Sequence, residues 1–328
     1  MIISKKHFAG IAVMIAMVLT VVFYFYLPIQ IAGHRPGNVP LLLINAGLVA
    51  ITASAVLVFA LILLVRGSYV RGQIVTFMRF RHLLRLMVKR DFVTRYRRSI
   101  LGVLWSLLNP ILMMLVMTMV FSTLFRDMGI ENFPVYFLSG QMIHLFFVES
   151  TTLAMGSITG GAGTIKKVYV PKYIFPISRV LSSLVNLGFS FLALLFIVLV
   201  TGAPFQWTML LIFIPVTYLV VFAMGVGMLL SAAAVFFRDI THIYGVLTQI
   251  LFFLTPIIYA VEILPDRVYF LMHLNPMFHF VTYFRELVMF GNIPGLWTNL
   301  ISASFAFLAL GVGLYVKMSQ QDKYILHL

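Results

Sequence analysis

Eight stretches of this chain are long and apolar enough to cross a lipid bilayer, and that pattern constrains everything else. A helix needs roughly 20 apolar residues to cover the hydrocarbon core. The segments at about 8–30, 41–65, 105–125, 134–159, 178–201, 208–236, 243–261 and 297–316 meet that rule. In hydrocarbon every backbone N–H and C=O must be satisfied within the protein, so such spans are helical. Composition agrees. The chain is 62% hydrophobic and only 10% charged, against about 25% charged in an average soluble domain. The sequence predicts an all-α polytopic membrane protein. Pro215 lies inside one segment and predicts a kink there.

The first apolar stretch follows Lys5 and Lys6. It is longer than a signal-peptide core and has no small-residue cleavage site before Gly33–Pro36, so it reads as a retained span. Lys and Arg set the orientation. With the N-terminus in the cytoplasm, only Arg35, Arg126, Arg267 and Arg285 of the 23 Lys and Arg lie outside. Both termini are therefore expected in the cytoplasm. The formal charge of +14 then faces anionic lipid rather than nucleic acid. With no cysteine, disulfides and thiolate metal sites are excluded.

Three connections stand out. Before the third segment, Phe77, Phe80, Leu83, Leu84, Met87 and Val88 share one helical face, and Arg79, Arg81, Arg85, Lys89 and Arg90 share the other. That predicts an amphipathic helix in the membrane interface. It is expected to end near Arg90, because Arg95 and Arg98 fall on the formerly apolar face. Residues 160–179 form a cytoplasmic loop too apolar for a free linker. Its glycines beside Lys166 lack the G-x-x-x-x-G-K-[ST] spacing of a phosphate loop. Residues 262–296 are external. Two short apolar stretches flank Asn275–Pro276, as in a broken, re-entrant pair of helices.

Little points to an enzyme. There is no H-E-x-x-H, no G-x-S-x-G and no useful carboxylate pair. Glu149 has two readings: a functional intramembrane acid, with His144 one turn away as its partner, or a solvated residue at the outer end of its span. Trp105, Tyr136, Phe137, Phe146, Phe147 and Tyr259 lie near span ends. They are candidates to line a pathway by stacking on sugar rings, with packing the plainer reading of each.

The stretch KRDFVTRYRRSILGVLWSLLNP (89–110) resembles the interface helix and first core span of type 2 ABC transporter permeases that export polysaccharides: O-antigen, capsule and teichoic acid. Further likenesses follow in order. Lys166–Arg179 resembles the coupling segment of that family, and Phe236–Ile240 its R-D-I turn. Thr255–Tyr259 resembles the outer half of its fifth span, and Leu274–Met277 with Phe284–Glu286 its re-entrant helices. Together these cover about residues 77–316.

The resemblance implies a six-span type 2 ABC exporter core preceded by two extra N-terminal spans. On that reading residues 1–70 are an added two-span segment. Residues 71–104 are the cytoplasmic amphipathic helix and its connector. Residues 105–328 are the permease core. The implied function is the permease subunit of an ATP-driven exporter of lipid-linked polysaccharide in the bacterial cytoplasmic membrane. A permease for a small drug or lipid, or a membrane-embedded glycosyl- or acyltransferase, are the alternatives. The implied partners are a second copy of the chain, two ATP-binding subunits, the lipid-linked polymer and membrane lipid. The chain itself would carry no cofactor, with ATP and Mg on the partner ATPase. Arg90, Asp91, Arg95 and Arg97 become candidates to touch a lipid-pyrophosphate head group or the ATPase, since guanidinium suits phosphate. Anchoring to anionic lipid is the plainer alternative. Lys166, Lys167, Tyr173, Phe175, Arg238 and Asp239 become candidates for coupling to the ATPase.

Overall fold

The computed structural model describes residues 77–97, 101–126, 130, 132–165, 167, 170–237, 239–261 and 272–320. The expected spans at 8–30 and 41–65, residues Lys166 and Arg238, residues 262–271 of the external segment and the tail from 321 lie outside them. Every regular element among the described residues is helical. The main helices are α1 (Arg81–Tyr96), α2 (Leu104–Arg126), α3 (Phe133–Met155), α4 (Ile174–Thr201), α5 (Phe213–Phe236), α6 (Ile240–Leu254), α7 (Pro276–Arg285) and α8 (Leu296–Gln320).

Among the described residues, four helical stretches are long and apolar enough to cross a membrane: Leu104–Thr123, Ile174–Thr201, Trp207–Phe236 and Leu296–Lys317. Helix α3 has the length but carries Gln141, His144, Glu149, Ser150 and Thr151. Most of its residues are buried by other helices, so protein rather than lipid surrounds its polar groups. Helix α6 is 15 residues long, about 22 Å at 1.5 Å per residue. It stops at Leu254, with Thr255 extended (φ −104°, ψ 128°), because a residue before proline is driven out of the α region. The expected span at 243–261 is therefore a shorter helix followed by an irregular turn.

Pro215 does not kink a helix. It is the third residue of α5, which follows a 3-10 turn at Trp207–Leu211. In a first turn the missing proline N–H has no bond to lose. The interior proline is Pro110, in α2.

Helix ends follow local chemistry. Asn132 caps α3 by accepting from the Val135 N–H at 3.3 Å, and Asn275 caps α7 through the Met277 N–H at 3.0 Å. Each is followed closely by a proline suited to a first turn. Helix α4 ends at Gly202, whose φ of +68° is the left-handed cap that glycine adopts without strain.

The bundle centres on α3, which packs against α4 and α5, while α8 lies along α5. A Cβ on Gly225 would overlap the α8 backbone at Ala309 and Leu310, and one on Gly313 would meet Gly225 O at 2.5 Å. Small residues thus let two backbones touch, which drives helix association where lipid is as apolar as the side chains. Helix α2 is peripheral. Of its described side chains only Pro110 and Met114 are buried.

Candidate functional site

Helix α1 does share one apolar face, as the sequence predicts. The bundle covers much of it. Leu84 and Met87 are buried against Val170, Tyr173, Ile174, Phe175, Ile177 and Met228, with Phe77, Phe80, Leu83 and Leu314 around them. The helix expected at the membrane interface is docked on the bundle. Nor does it end near Arg90. It runs to Tyr96, because the polar residues of its last turns find partners on three other helices.

Asp91 Oδ2 accepts from Arg179 Nη1 of α4 at 2.7 Å and from Ser182 Oγ at 3.1 Å. Arg90 is a looser neighbour of Asp91 at 3.6 Å. One turn on, Arg95 pairs with Glu149 of α3. Asn186 Nδ2 donates to the same Glu149 oxygen at 2.7 Å. Tyr96 OH donates to Asn186 Oδ1 at 3.0 Å and also meets Ser106 Oγ of α2. A directed chain results: Ser106 to Tyr96 to Asn186 to Glu149, with Arg95 completing the carboxylate. Burial opposes the charge on Arg95, but the hydrogen bond and charge of Glu149 outweigh it and hold the guanidinium above its ordinary value.

Arg90, Asp91, Arg95, Tyr96, Arg179, Ser182 and Asn186 line a cleft of about 430 Å³ with Phe92, Thr94 and Leu153. Three guanidiniums face one carboxylate in that lining, with Glu149 bonded to Arg95 beyond it. The structure divides the four head-group candidates. Asp91 and Arg95 are held in ion pairs across helices, Arg95 while its side chain stays 37% exposed. Arg90 and Arg97 are exposed, and their guanidiniums can take a bidentate anion.

Glu149 lies within two turns of the C-terminal end of α3, beside α1, at the end that the expected orientation puts in the cytoplasm. Its partners are Arg95 and Asn186, not His144. The His144 ring instead packs edge-on to Phe252 at 5.3 Å.

The aromatic candidates separate as well. Phe137, Phe146 and Phe147 are buried in the main core, with Phe147 stacked on Phe222 at 5.4 Å. Tyr136 is also buried, its hydroxyl 2.8 Å from Tyr259 O. Tyr259 is half-buried and donates to Phe253 O at 2.5 Å. Trp105 is exposed near the start of α2. Within one copy of the chain, the buried four pack the bundle.

Among the coupling candidates, Lys167 and Asp239 are exposed, whereas Tyr173 and Phe175 are only 6% and 5% exposed. Tyr173 lies under Lys317, whose Nζ is 3.4 Å from the ring centroid. A partner chain has no direct access to either ring in this conformation.

The partners that sequence reasoning missed are Tyr96, Arg179, Ser182 and Asn186. A signal was present. Arg179, Ser182, Ser183 and Asn186 form a polar stripe at helical spacing on an otherwise apolar span, which predicts a buried polar contact rather than lipid.

At the N-terminal end of α3, away from the charged cleft, the structure brings three of the quoted motifs together. Asn275 Nδ2 donates to Thr255 Oγ1 at 2.9 Å. Arg285, expected outside, is only 4% exposed. Its guanidinium donates to Pro256 O at 2.6 Å, Tyr136 O at 2.9 Å, Ile257 O at 3.1 Å and Ser139 Oγ at 3.4 Å. It also lies over the Tyr136 ring at 3.5 Å. A Cβ on Gly140 would come within 2.6 Å of it, so glycine makes its room. Thr255–Tyr259, Leu274–Met277 and Phe284–Glu286 thus form one knot at the N-terminal end of α3.

Known proteins match over this same region. Residues 82–289 match the family model described as ABC-2 type transporter, from the first turn of α1 through the turn that follows α7. The O-antigen export system permease protein RfbA of Myxococcus xanthus is 30% identical over 217 residues, covering 66% of this chain and 83% of the relative. RfbA of Klebsiella pneumoniae is 29% identical over 216 residues, covering 64% and 82%. The polysialic acid transport protein KpsM of Escherichia coli is 25% identical over 236 residues, covering 71% and 91%. With more than half of its length under the family model, the chain belongs to the ABC-2 type transporter family.

Proposed function

We propose that this chain is the transmembrane permease subunit of an ATP-driven exporter that moves a lipid-linked polysaccharide across the cytoplasmic membrane. The observation that carries this reading is the likeness to O-antigen and polysialic acid permeases over 216 to 236 residues. Two copies form the pathway, with both termini in the cytoplasm. Two separate ATP-hydrolysing subunits dock beneath and carry ATP and Mg. The six-span core is preceded by two added N-terminal spans.

The geometry supports a route for coupling. Tyr173 and Phe175 wedge beneath α1, and α1 is tied to α4 through Asp91–Arg179 and to α3 through Arg95–Glu149. A push on the segment before α4 is therefore passed to α1, α3 and α4 as one body, the rigid-body movement that such transporters use. The exposed Lys167 and Asp239 are the surface contacts for the ATPase. Arg90 and Arg97 meet the pyrophosphate head group at the mouth of the charged cleft.

Deleting the gene tests the reading. Loss of a surface glycan with polymer accumulating inside the cell is the expected result, together with co-purification of an ATPase on a tagged chain. An unchanged surface glycan with altered drug sensitivity would instead assign a small-molecule permease.

A further inference from the structure

Next to the charged cleft, on the adjoining face of α1, a second hollow of about 510 Å³ runs between α1 and α4. Phe77, Leu84, Val88 and Phe92 form its floor with Leu181 and Val185 of α4. Its charged lining is Arg81, Arg85 and Lys89. These three recur every fourth residue and so stand in a row about 12 Å long. All are exposed, and among the described residues no carboxylate lines the hollow. Among the described residues the ion pairs of α1 involve only Arg90, Asp91 and Arg95.

The apolar floor does not stop at α1. Leu181 and Val185 begin a stripe that continues along α4 through Gly188, Leu192, Phe196 and Val200, the last four exposed. From 181 to 200 it runs about 28 Å, close to the thickness of the hydrocarbon core. A Cβ at Gly188 would meet nothing within 4 Å, so the stripe is open. The hollow is therefore the cationic end of a membrane-facing apolar trough.

We propose that this trough holds a resident anionic glycerophospholipid, its acyl chains along α4 and its phosphate between Arg81, Arg85 and Lys89. Charge complementarity selects an anionic head group, because a zwitterionic lipid would leave three cations uncompensated. The transported carrier is a poorer match. Phe92, set against Tyr96 at 5.0 Å and Phe189 at 6.2 Å, stands between this hollow and the charged cleft, so the occupant stays at the perimeter. The chain's own stretch before Phe77 would bring Arg66 and Arg71 against the same cations. The lipid fixes the height of α1 against the bilayer.

Native mass spectrometry of the full-length chain, given equal phosphatidylglycerol and phosphatidylcholine, tests the site. The unmodified protein is expected to retain phosphatidylglycerol preferentially. At about 1 kcal/mol per surface cation, the triple variant R81Q/R85Q/K89Q should lower that preference on the order of a hundredfold. V185W, which fills the floor, should reduce retention of both lipids. R79Q removes a cation outside the hollow and should leave the preference nearly unchanged. Equal loss per charge in R79Q would mean general attraction only and overturn the site. Displacement of phosphatidylglycerol by inorganic phosphate alone would assign a free-anion site and overturn the lipid. Efficient disulfide formation between V185C and L57C, in a chain with no other cysteine, would place an N-terminal span in the trough and overturn it as well.

Discussion

Replacing Arg285 should damage the transporter at the N-terminal end of α3, and the structure sets the size of the effect. Four hydrogen bonds from a charged donor, at about 1.5–3 kcal/mol each, give a gross contribution of roughly 6–12 kcal/mol. Burying the guanidinium costs several kcal/mol. The expected net loss in Arg285→Ala is therefore about 3–5 kcal/mol, including acceptors at Pro256 and Ile257 left short of a donor. At about 2–4 °C per kcal/mol for a domain of this size, the melting temperature of purified protein in detergent should fall by about 10 °C. Arg285→Lys keeps the charge but not the planar fork, so it should recover less than half of the loss. Export should fall with stability, because the knot holds Tyr136 at the start of α3 to Pro256 at the end of α6. If Arg285→Ala melts within about 2 °C of the unmodified protein, or if Lys substitutes fully, the bonding described for this guanidinium is not what holds that end of α3 together.

Three further perturbations have defined outcomes. A double-mutant cycle on Arg95→Ala and Glu149→Ala, read in ATP-dependent export, should show coupling of about 1–2 kcal/mol, near the lower end for charged hydrogen bonds because both side chains are partly exposed; additive losses would remove the pair from the coupling route. Tyr173→Ala with Phe175→Ala should leave ATPase activity in the assembled complex while export drops, since each ring contributes about 3 kcal/mol or more beneath α1; unchanged export would refute the wedge. Gly225→Leu should abolish monodisperse expression because its side chain would enter the α8 backbone, whereas Gly188→Leu should be tolerated; equal behaviour of the two, followed by size-exclusion chromatography, would contradict the α5–α8 packing.

The apolar helices were legible because burial in lipid leaves a composition signal that needs no partner. Helix ends were less so. Helix α1 reads as ending at Arg90 only if its later polar residues are assumed to need water. Their partners, Glu149 and Asn186, are 54 and 90 residues away from Arg95 and Tyr96, and pairings over such distances leave no local mark. Arg285 was harder still. Its acceptors are mostly backbone carbonyls, which every residue owns, so nothing in the sequence distinguishes a buried guanidinium held by carbonyls from an exposed external one. The same holds for Phe137, Phe146 and Phe147: an aromatic on a membrane helix carries no sign of whether lipid, sugar or another helix faces it.

These misreadings share a cause that bears on mechanism. A cation on a membrane protein is read from sequence as facing water or head groups, yet this bundle sorts its arginines by partner. Arg81 and Arg85 face outward with no carboxylate in their hollow, Arg95 and Arg179 are paired to acids across helices, and Arg285 is satisfied by neutral oxygens. The three classes respond differently to salt. Exposed cations are screened over roughly a Debye length, about 8 Å at physiological ionic strength, while paired and buried ones are screened much less. Raising ionic strength in proteoliposomes should therefore weaken lipid and ATPase contacts at Arg81, Arg85 and Lys167 before it loosens the α1–α3–α4 body. Export that fails together with melting of the bundle, at one salt concentration, would show that the surface and interior charges are not separable in this way.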